Sequence, residues 1–186
     1  MKYRVDNDLL SIQEARINIE LARDAANELK SFSQDQLDVV VEQMSQALRP
    51  HIEKLAKMAV EETDYGTFHD KVIKNRFVSE YLPRRLRSQR FVGILEEDNE
   101  QKLLKIGVPV GVIVSMIPAT SPISTTIHNV LIAVKAGNAI VVSPHPRSKE
   151  TVRGVIKLLA KTAEEAGYPP GAISCMQLIS KKGTQE

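Results

Sequence analysis

The 186-residue sequence contains no tryptophan, only four tyrosines and four phenylalanines, and a single cysteine, Cys175. One thiol excludes an internal disulfide and suits a reducing compartment. The shortage of aromatics leaves no stacking platform for single-stranded nucleic acid. Charge of one sign is also missing: 25 basic residues face 23 acidic ones, so no strong field draws the chain towards DNA, RNA or anionic lipid. No apolar run approaches the roughly 20 residues of a membrane span. Met1 to Asp8 is polar where a secretory signal would be apolar. The expectation is a soluble cytoplasmic protein with neither a nucleic-acid nor a membrane partner. No Gly-x-Gly-x-x-Gly follows a strand, and neither a Walker loop nor His-Glu-x-x-His occurs. His51, His69, His128 and His145 lack metal-ligand spacing, so no metal site is expected.

What is present divides into three stretches. Residues 1–90 carry helical periodicity. Leu10, Ala15, Ile19, Ala22, Ala26 and Leu29 mark the inner stripe of a helix over 7–30. Ser33 and Gln36 have the spacing of a capping box and start a second helix towards Leu48. Pro50 suits the first turn of a third, with Ile52, Leu55, Ala56, Ala59 and Val60 inward and Gly66 as its terminator. A fourth runs over 68–81, and Arg84, Arg85, Arg87 and Arg90 read as a solvated helix end. Residues 91–106 place two short apolar runs around the polar segment 96–101, a β-hairpin with its acidic residues at a solvated tip.

Residues 107–186 alternate strand and helix. Val108–Ile117 reads as a strand buried on both faces, followed by a small-residue loop and a helix with Ile127, Val130, Leu131 and Val134 inward. Gly137 or Asn138 ends that helix, and Ala139–Ser143 is a second buried strand. A helix over 149–166, closed by Gly167, leads to a third strand over 172–179. This βαβαβ order predicts an α/β fold with a parallel, right-handed sheet. Ligands of such sheets bind beyond the carboxyl ends of the strands, against helix N-termini. Pro118–Ser124, with Thr120, Ser121 and Ser124, is therefore the first candidate site. His145, held between Pro144 and Pro146 at the end of the second strand, is the second. His128 reads as a satisfied structural histidine, and Cys175, between Ile173 and Met176, as a buried structural thiol.

The strings 111–122 (GVIVSMIPATSP) and 133–146 (AVKAGNAIVVSPHP) resemble the coenzyme A-acylating branch of the aldehyde dehydrogenase superfamily. Segments 62–66 (ETDYG), 70–75 (DKVIKN) and 166–171 (AGYPPG) extend the likeness over nearly the whole chain. The resemblance implies an aldehyde dehydrogenase-like fold with a partial Rossmann-like sheet. It also implies oxidation of a small aldehyde through a cysteine thioester, with NAD or NADP as cofactor and coenzyme A as acceptor. It places Ile117, Pro118, Ala119 and Thr120 along the nicotinamide and substrate passage, with Thr120 as a possible oxyanion or substrate contact. Ser143, Pro144, His145 and Pro146 fall at the adenosine end. The hairpin is assigned to a homo-oligomer surface, and the location to the cytoplasm or a bacterial microcompartment.

Two departures stand out. Ser121 occupies the position of an amide in relatives with Thr-Asn-Pro, and Thr120 that of the oxyanion-hole asparagine of non-acylating enzymes. Ser143 and Pro146 replace the ribose-binding lysine and glutamate of those enzymes, which leaves NAD against NADP open. Family members run to roughly two and a half times this length, with the nucleophile and catalytic domain downstream of Glu186. The chain is accordingly expected to be an N-terminal fragment, inactive alone. The rival reading is a non-catalytic interaction module that docks through its hairpin or open sheet edge.

Overall fold

The computed structural model describes residues 6–186; of the helical stretch expected over 1–90, residues 1–5 lie outside the described residues. Asp6 starts helix α1 (Asn7–Leu29) by accepting the amides of Asp8 and Leu9. The buried stripe of α1 is mostly alanine, Ala15, Ala22, Ala25 and Ala26, which lets it lie close to the sheet. Leu10, expected inward, is exposed, because Ser11 takes the inner position and donates its Oγ to the carbonyl of Leu178 at 2.5 Å.

Helix α2 (Gln34–Leu48) opens with the expected capping box. The Ser33 amide donates to Gln36 Oε1 at 2.8 Å and the Gln36 amide to Ser33 Oγ at 3.3 Å. A 3-10 turn holding Pro50 leads into α3 (Ile52–Thr63), which buries Ile52, Leu55, Ala56 and Ala59. Its terminator is Asp64 rather than Gly66: Asp64 takes the left-handed conformation at φ 57° while its amide bonds the Val60 carbonyl. Aspartate tolerates that region better than most side chains.

The fourth helix does not stop at Tyr81. Helix α4 (Phe68–Arg76) passes through a wider π turn at Phe77–Tyr81 into α5 (Leu82–Leu86). Pro83 has no N–H to give the Ser79 carbonyl, which instead accepts Ser45 Oγ at 2.5 Å. The arginines follow on this last turn, and Arg87 pairs with Glu42 at 2.7 Å.

Strands β1 (Gly93–Asp98) and β2 (Leu103–Gly107) form the expected antiparallel hairpin, with a register shift between Ile94 and Glu96. Glu96 and Glu97 belong to the strand, so the polar tip begins at Asp98. Nearly every residue of both strands is exposed.

The remaining chain is β3 (Val112–Ile117), α6 (Pro122–Lys135), β4 (Ala139–Pro144), α7 (Lys149–Glu165), β5 (Ile173–Cys175) and α8 (Lys181–Gln185). The three strands are parallel in the order β3-β4-β5. Helix α1 packs on the sheet, as do α6 and α7, and α2 and α3 pack in turn on α6 and α7. Central β4 is buried throughout. Strand β3 departs from the expected double burial. Ser115 and Ile117 are buried, whereas Val114 is 55 % and Met116 72 % exposed. It is an edge strand, and its outer side chains project past the cover that α1 gives β4. Val108–Gly111, read as its start, lies before the strand, with Val108 and Val110 exposed. Strand β5 is three residues long rather than eight.

Helix α8 was not legible as an element. It packs on α1 so closely that a Cβ on Gly183 would stand 1.9 Å from Ser11 Oγ, so only glycine fits there.

Candidate functional site

The carboxyl ends of β3 and β4 are tied together by the His145 amide, which donates to the Ile117 carbonyl at 3.1 Å. Beyond them lies a groove of about 460 Å³ lined by Met116, Ile117, Ser143, Pro144, His145, Pro146 and, from the last stretch, Ile179–Lys181, Thr184 and Gln185. Its walls are apolar, and its polar handles are hydroxyls and amines: Ser143 Oγ lies 3.1 Å from Thr184 Oγ1. Pro144 is buried, whereas Pro146 and His145 are exposed. His145 Nδ1 accepts the Arg147 amide at 3.1 Å, leaving its other ring nitrogen free for a ligand. Five of the eight sequence-derived cofactor residues therefore share this groove: Ile117, Ser143, Pro144, His145 and Pro146.

Pro118, Ala119 and Thr120 stand apart, on the loop into α6. Pro118 and Thr120 are exposed, and Ala119 is buried. Two lysines of α4 pin this loop. Lys71 Nζ donates to the Thr120 carbonyl at 3.2 Å, and Lys74 Nζ to Ser121 Oγ at 3.2 Å. Lys71 is 4 % exposed, and burial together with the neighbouring Lys74 charge holds its ammonium below the usual lysine range. Ser121 caps α6 with its backbone only; its side chain accepts no amide of the first turn.

The turn around His145 is clamped from α3. Glu62 accepts the amides of Glu150 and Thr151, at 2.9 and 2.8 Å, and so caps α7. Arg147 donates to the Thr63 carbonyl at 3.0 Å, lies 3.6 Å from the Asp64 carboxylate and sits 5.2 Å over the Tyr65 ring. The segment Glu62–Tyr65 thus has a physical task, fixing the turn that carries His145.

The other candidates separate. His128 is exposed on the outer side of α6, whose inward positions are apolar, and its Nδ1 lies 3.0 Å from Asn129 Oδ1. Cys175 is 9 % exposed, and burial pushes its thiol up to about 12. It is a structural thiol in β5, unsuited to nucleophilic attack at neutral pH. Among the described residues no group of three metal-ligating side chains occurs, and no helix is long and apolar enough to cross a membrane.

Sequence reasoning missed Met116 and the stretch 179–185 as groove walls, and Lys71 and Lys74 as the loop's anchors. The Ser180 cap of Gly183 was the available signal for the former. The 70–75 motif held the latter without disclosing what it touches.

An open parallel sheet with a groove at its strand ends and a hydroxyl-rich loop opening the next helix defines an α/β protein of the class whose ligands sit beyond the carboxyl ends of the strands. Within that class the chain belongs to the aldehyde dehydrogenase family, whose family model matches residues 9–184. It is 32 % identical over 168 residues to succinate-semialdehyde dehydrogenase (acetylating) of Clostridium kluyveri, covering 90 % of this chain and 37 % of that protein. It is 36 % identical over 163 residues to the bifunctional aldehyde-alcohol dehydrogenase of Escherichia coli K12, covering 88 % of this chain and 18 % of that one. The chain therefore spans well under half the length of these relatives. Among solved structures it superposes on a probable aldehyde dehydrogenase of Listeria monocytogenes EGD-e with TM-score 0.94 and 46 % identity, over 97 % of this chain and 40 % of that one. An acetylating aldehyde dehydrogenase of Geobacillus thermoglucosidasius gives 0.93 and 40 %, with the same coverage. An engineered glycolyl-CoA reductase with bound NADP+ gives 0.76 and 26 %, over 92 % of this chain and 38 % of that one.

Proposed function

We propose that this chain forms the cofactor-facing wall of a coenzyme A-acylating aldehyde dehydrogenase, which converts an aldehyde, coenzyme A and NAD(P)+ to an acyl-CoA and NAD(P)H. The observation that carries this reading is the convergence of Ile117, Ser143, Pro144, His145 and Pro146 on one groove at the strand ends. The residues fit an adenosine. Apolar Met116, Ile117 and Ile179 offer flat contact, Ser143 and Thr184 offer hydroxyls to a ribose, and no carboxylate lines the groove to repel a phosphate. When bound, the nicotinamide supplies a hydride acceptor. The chain's own residues would orient and exclude: Ile117 and Ala119 are apolar and buried, and Thr120, on an exposed position of the loop, offers a hydroxyl that would donate to a carbonyl oxygen. Lys71, by holding the Thr120 carbonyl, fixes the loop that presents that hydroxyl.

The nucleophile is assigned to the part of the relatives that this chain does not span, since Cys175 is buried and held as a thiol. Incubating the chain with acetaldehyde, coenzyme A and NAD, while following absorbance of the reduced cofactor, is expected to show no steady turnover. Turnover abolished by Cys175→Ser would overturn the assignment.

A specific observation also favours association. Ile94, Leu103, Leu104 and Ile106 of the hairpin are exposed, as are Val108, Val110, Val114 and Met116 near the β3 edge. A free two-stranded hairpin with apolar side chains is only marginally stable, and an open edge strand is a template for pairing. The hairpin is thus the proposed homo-oligomer surface.

A further inference from the structure

The groove at the ends of β3 and β4 has a polar lining of one kind. Lys181 is the one lysine or arginine among its walls, no carboxylate lines it, and among the described residues the Lys181 ammonium has no carboxylate within 4 Å. At Pro146 and Ile179 the groove adjoins a second hollow of about 230 Å³, which shares those two residues, is lined by Lys149 and again has no acidic wall. The carboxylates of this region are engaged elsewhere. Glu150 bonds Arg153 at 2.7 Å and reaches Lys149 only at 4.0 Å, Asp8 pairs with Lys182 at 3.3 Å, and Glu14 accepts the amides of Gln177 and Leu178. The hydroxyls are also partly committed. Thr184 Oγ1 donates to the Ser180 carbonyl at 3.0 Å, so Ser143 donates to Thr184 and keeps only neutral acceptor capacity for a ligand.

A site that selects an unphosphorylated ribose offers a carboxylate to its hydroxyls, whereas a phosphorylated ribose is met by a cation. This groove offers the second arrangement: one neutral acceptor for a ribose hydroxyl, and an ammonium on each side of the shared rim. We infer that the rim formed by Pro146 and Ile179 is a phosphate subsite, with Lys181 and Lys149 as its cations, and that it selects NADP+ over NAD+ through the phosphate on the adenosine ribose. This rests on the proposed reading of the groove as the adenosine site. At neutral pH that phosphate carries a charge of about −1.5 to −2, which no group lining either hollow repels. The ribose 3′-phosphate of coenzyme A presents the same chemistry and is the alternative source of the anion.

The test uses the adenosine halves alone, so it needs neither nicotinamide nor turnover. The isotopically labelled chain is titrated with adenosine 2′,5′-bisphosphate, adenosine 5′-monophosphate and adenosine 3′,5′-bisphosphate, following the amide resonances of Ser143, Lys181 and Thr184. The 2′,5′-bisphosphate is expected to bind roughly tenfold tighter than the monophosphate, the scale of two exposed ion pairs worth roughly threefold each. Lys181→Gln and Lys149→Gln should each cut that preference roughly threefold and together abolish it, with binding of the monophosphate unchanged. Pro146→Glu, at an exposed position, puts a carboxylate on the rim and should reverse the preference. Raising ionic strength from about 0.01 M to about 1 M should also erase it, because both lysines are exposed. Equal affinities for the 2′,5′-bisphosphate and the monophosphate, or a preference that survives in the double lysine variant, would overturn the subsite while leaving the groove as the adenosine site. Tighter binding of the 3′,5′-bisphosphate than of the 2′,5′-isomer would overturn the NADP+ assignment in favour of coenzyme A. Failure of all three nucleotides to shift the groove resonances would overturn the adenosine reading and the subsite with it.

Discussion

Asp38→Ala offers a sharp test of how α6, and with it the candidate loop, is held. Lys135, in the last turn of α6, is 2 % exposed and bonds Asp38 Oδ1 at 2.5 Å, while Asp38 itself is 30 % exposed. Gln34 ties the pair to the rest. Its Nε2 donates to Asp38 at 2.8 Å and to the Lys135 carbonyl at 3.1 Å, and its Oε1 accepts the amides of Phe91 and Val92. Removing Asp38 leaves a buried ammonium without its counterion. Such a loss costs about 3–5 kcal/mol when both partners are buried, and water reaches the Asp38 side here, so about 2–3 kcal/mol is expected. For a chain of this size that corresponds to a fall of roughly 5–10 °C in melting temperature. The double variant Asp38→Ala with Lys135→Met should recover most of the loss, because the stem of Lys135 already packs in the core and methionine replaces it without a charge. Urea unfolding of the wild type, both single variants and the double variant gives the coupling directly. An Asp38→Ala midpoint equal to wild type, or a double variant as unstable as the sum of the singles, would refute the reasoning.

Glu62→Ala should cost about 1–2 kcal/mol, since two amides of the first turn of α7 lose a charged acceptor, and urea unfolding measures it. Glu62→Gln, which keeps an acceptor, should lose less. Cys175 gives a signed pH dependence. Burial raises its thiol from 9.0 to about 12, so the folded chain holds a proton that the unfolded chain releases, and the contribution present below pH 9 is lost as pH rises from 9 to about 12. A smaller fall for Cys175→Ala than for wild type across that window checks the sign. Paired Ile94→Lys and Leu104→Lys substitutions should lower the mass seen by light scattering if the hairpin mediates association, and an unchanged mass would count against it.

Much of the architecture was legible because local chemistry and tertiary role agree. The Ser33–Gln36 box, the buried stripe of α7 and the strand β4 flanked by turn residues each carry a signal that packing does not override. Val114 and Met116 were not legible in the same way. An apolar run states that burial is available, whereas the position of β3 at the sheet edge is set by strand order. The π turn at Phe77–Tyr81 depends on Ser45 meeting an orphaned carbonyl 34 residues away. The groove residues around His145 followed from the rule for strand ends, together with the family likeness. Lys71 and Lys74 did not follow, since a lysine one turn into a helix looks solvated until the loop it pins is placed beside it.

The most direct test of the central claim is titration of the labelled chain with NAD+ and, separately, NADP+, following the amides of Ser143, His145 and Thr184. The account predicts saturable shifts confined to the groove at the ends of β3 and β4, lost in a variant that fills it, such as Ser143→Trp. No shift at millimolar cofactor, or shifts that map to another face of the molecule, would contradict it.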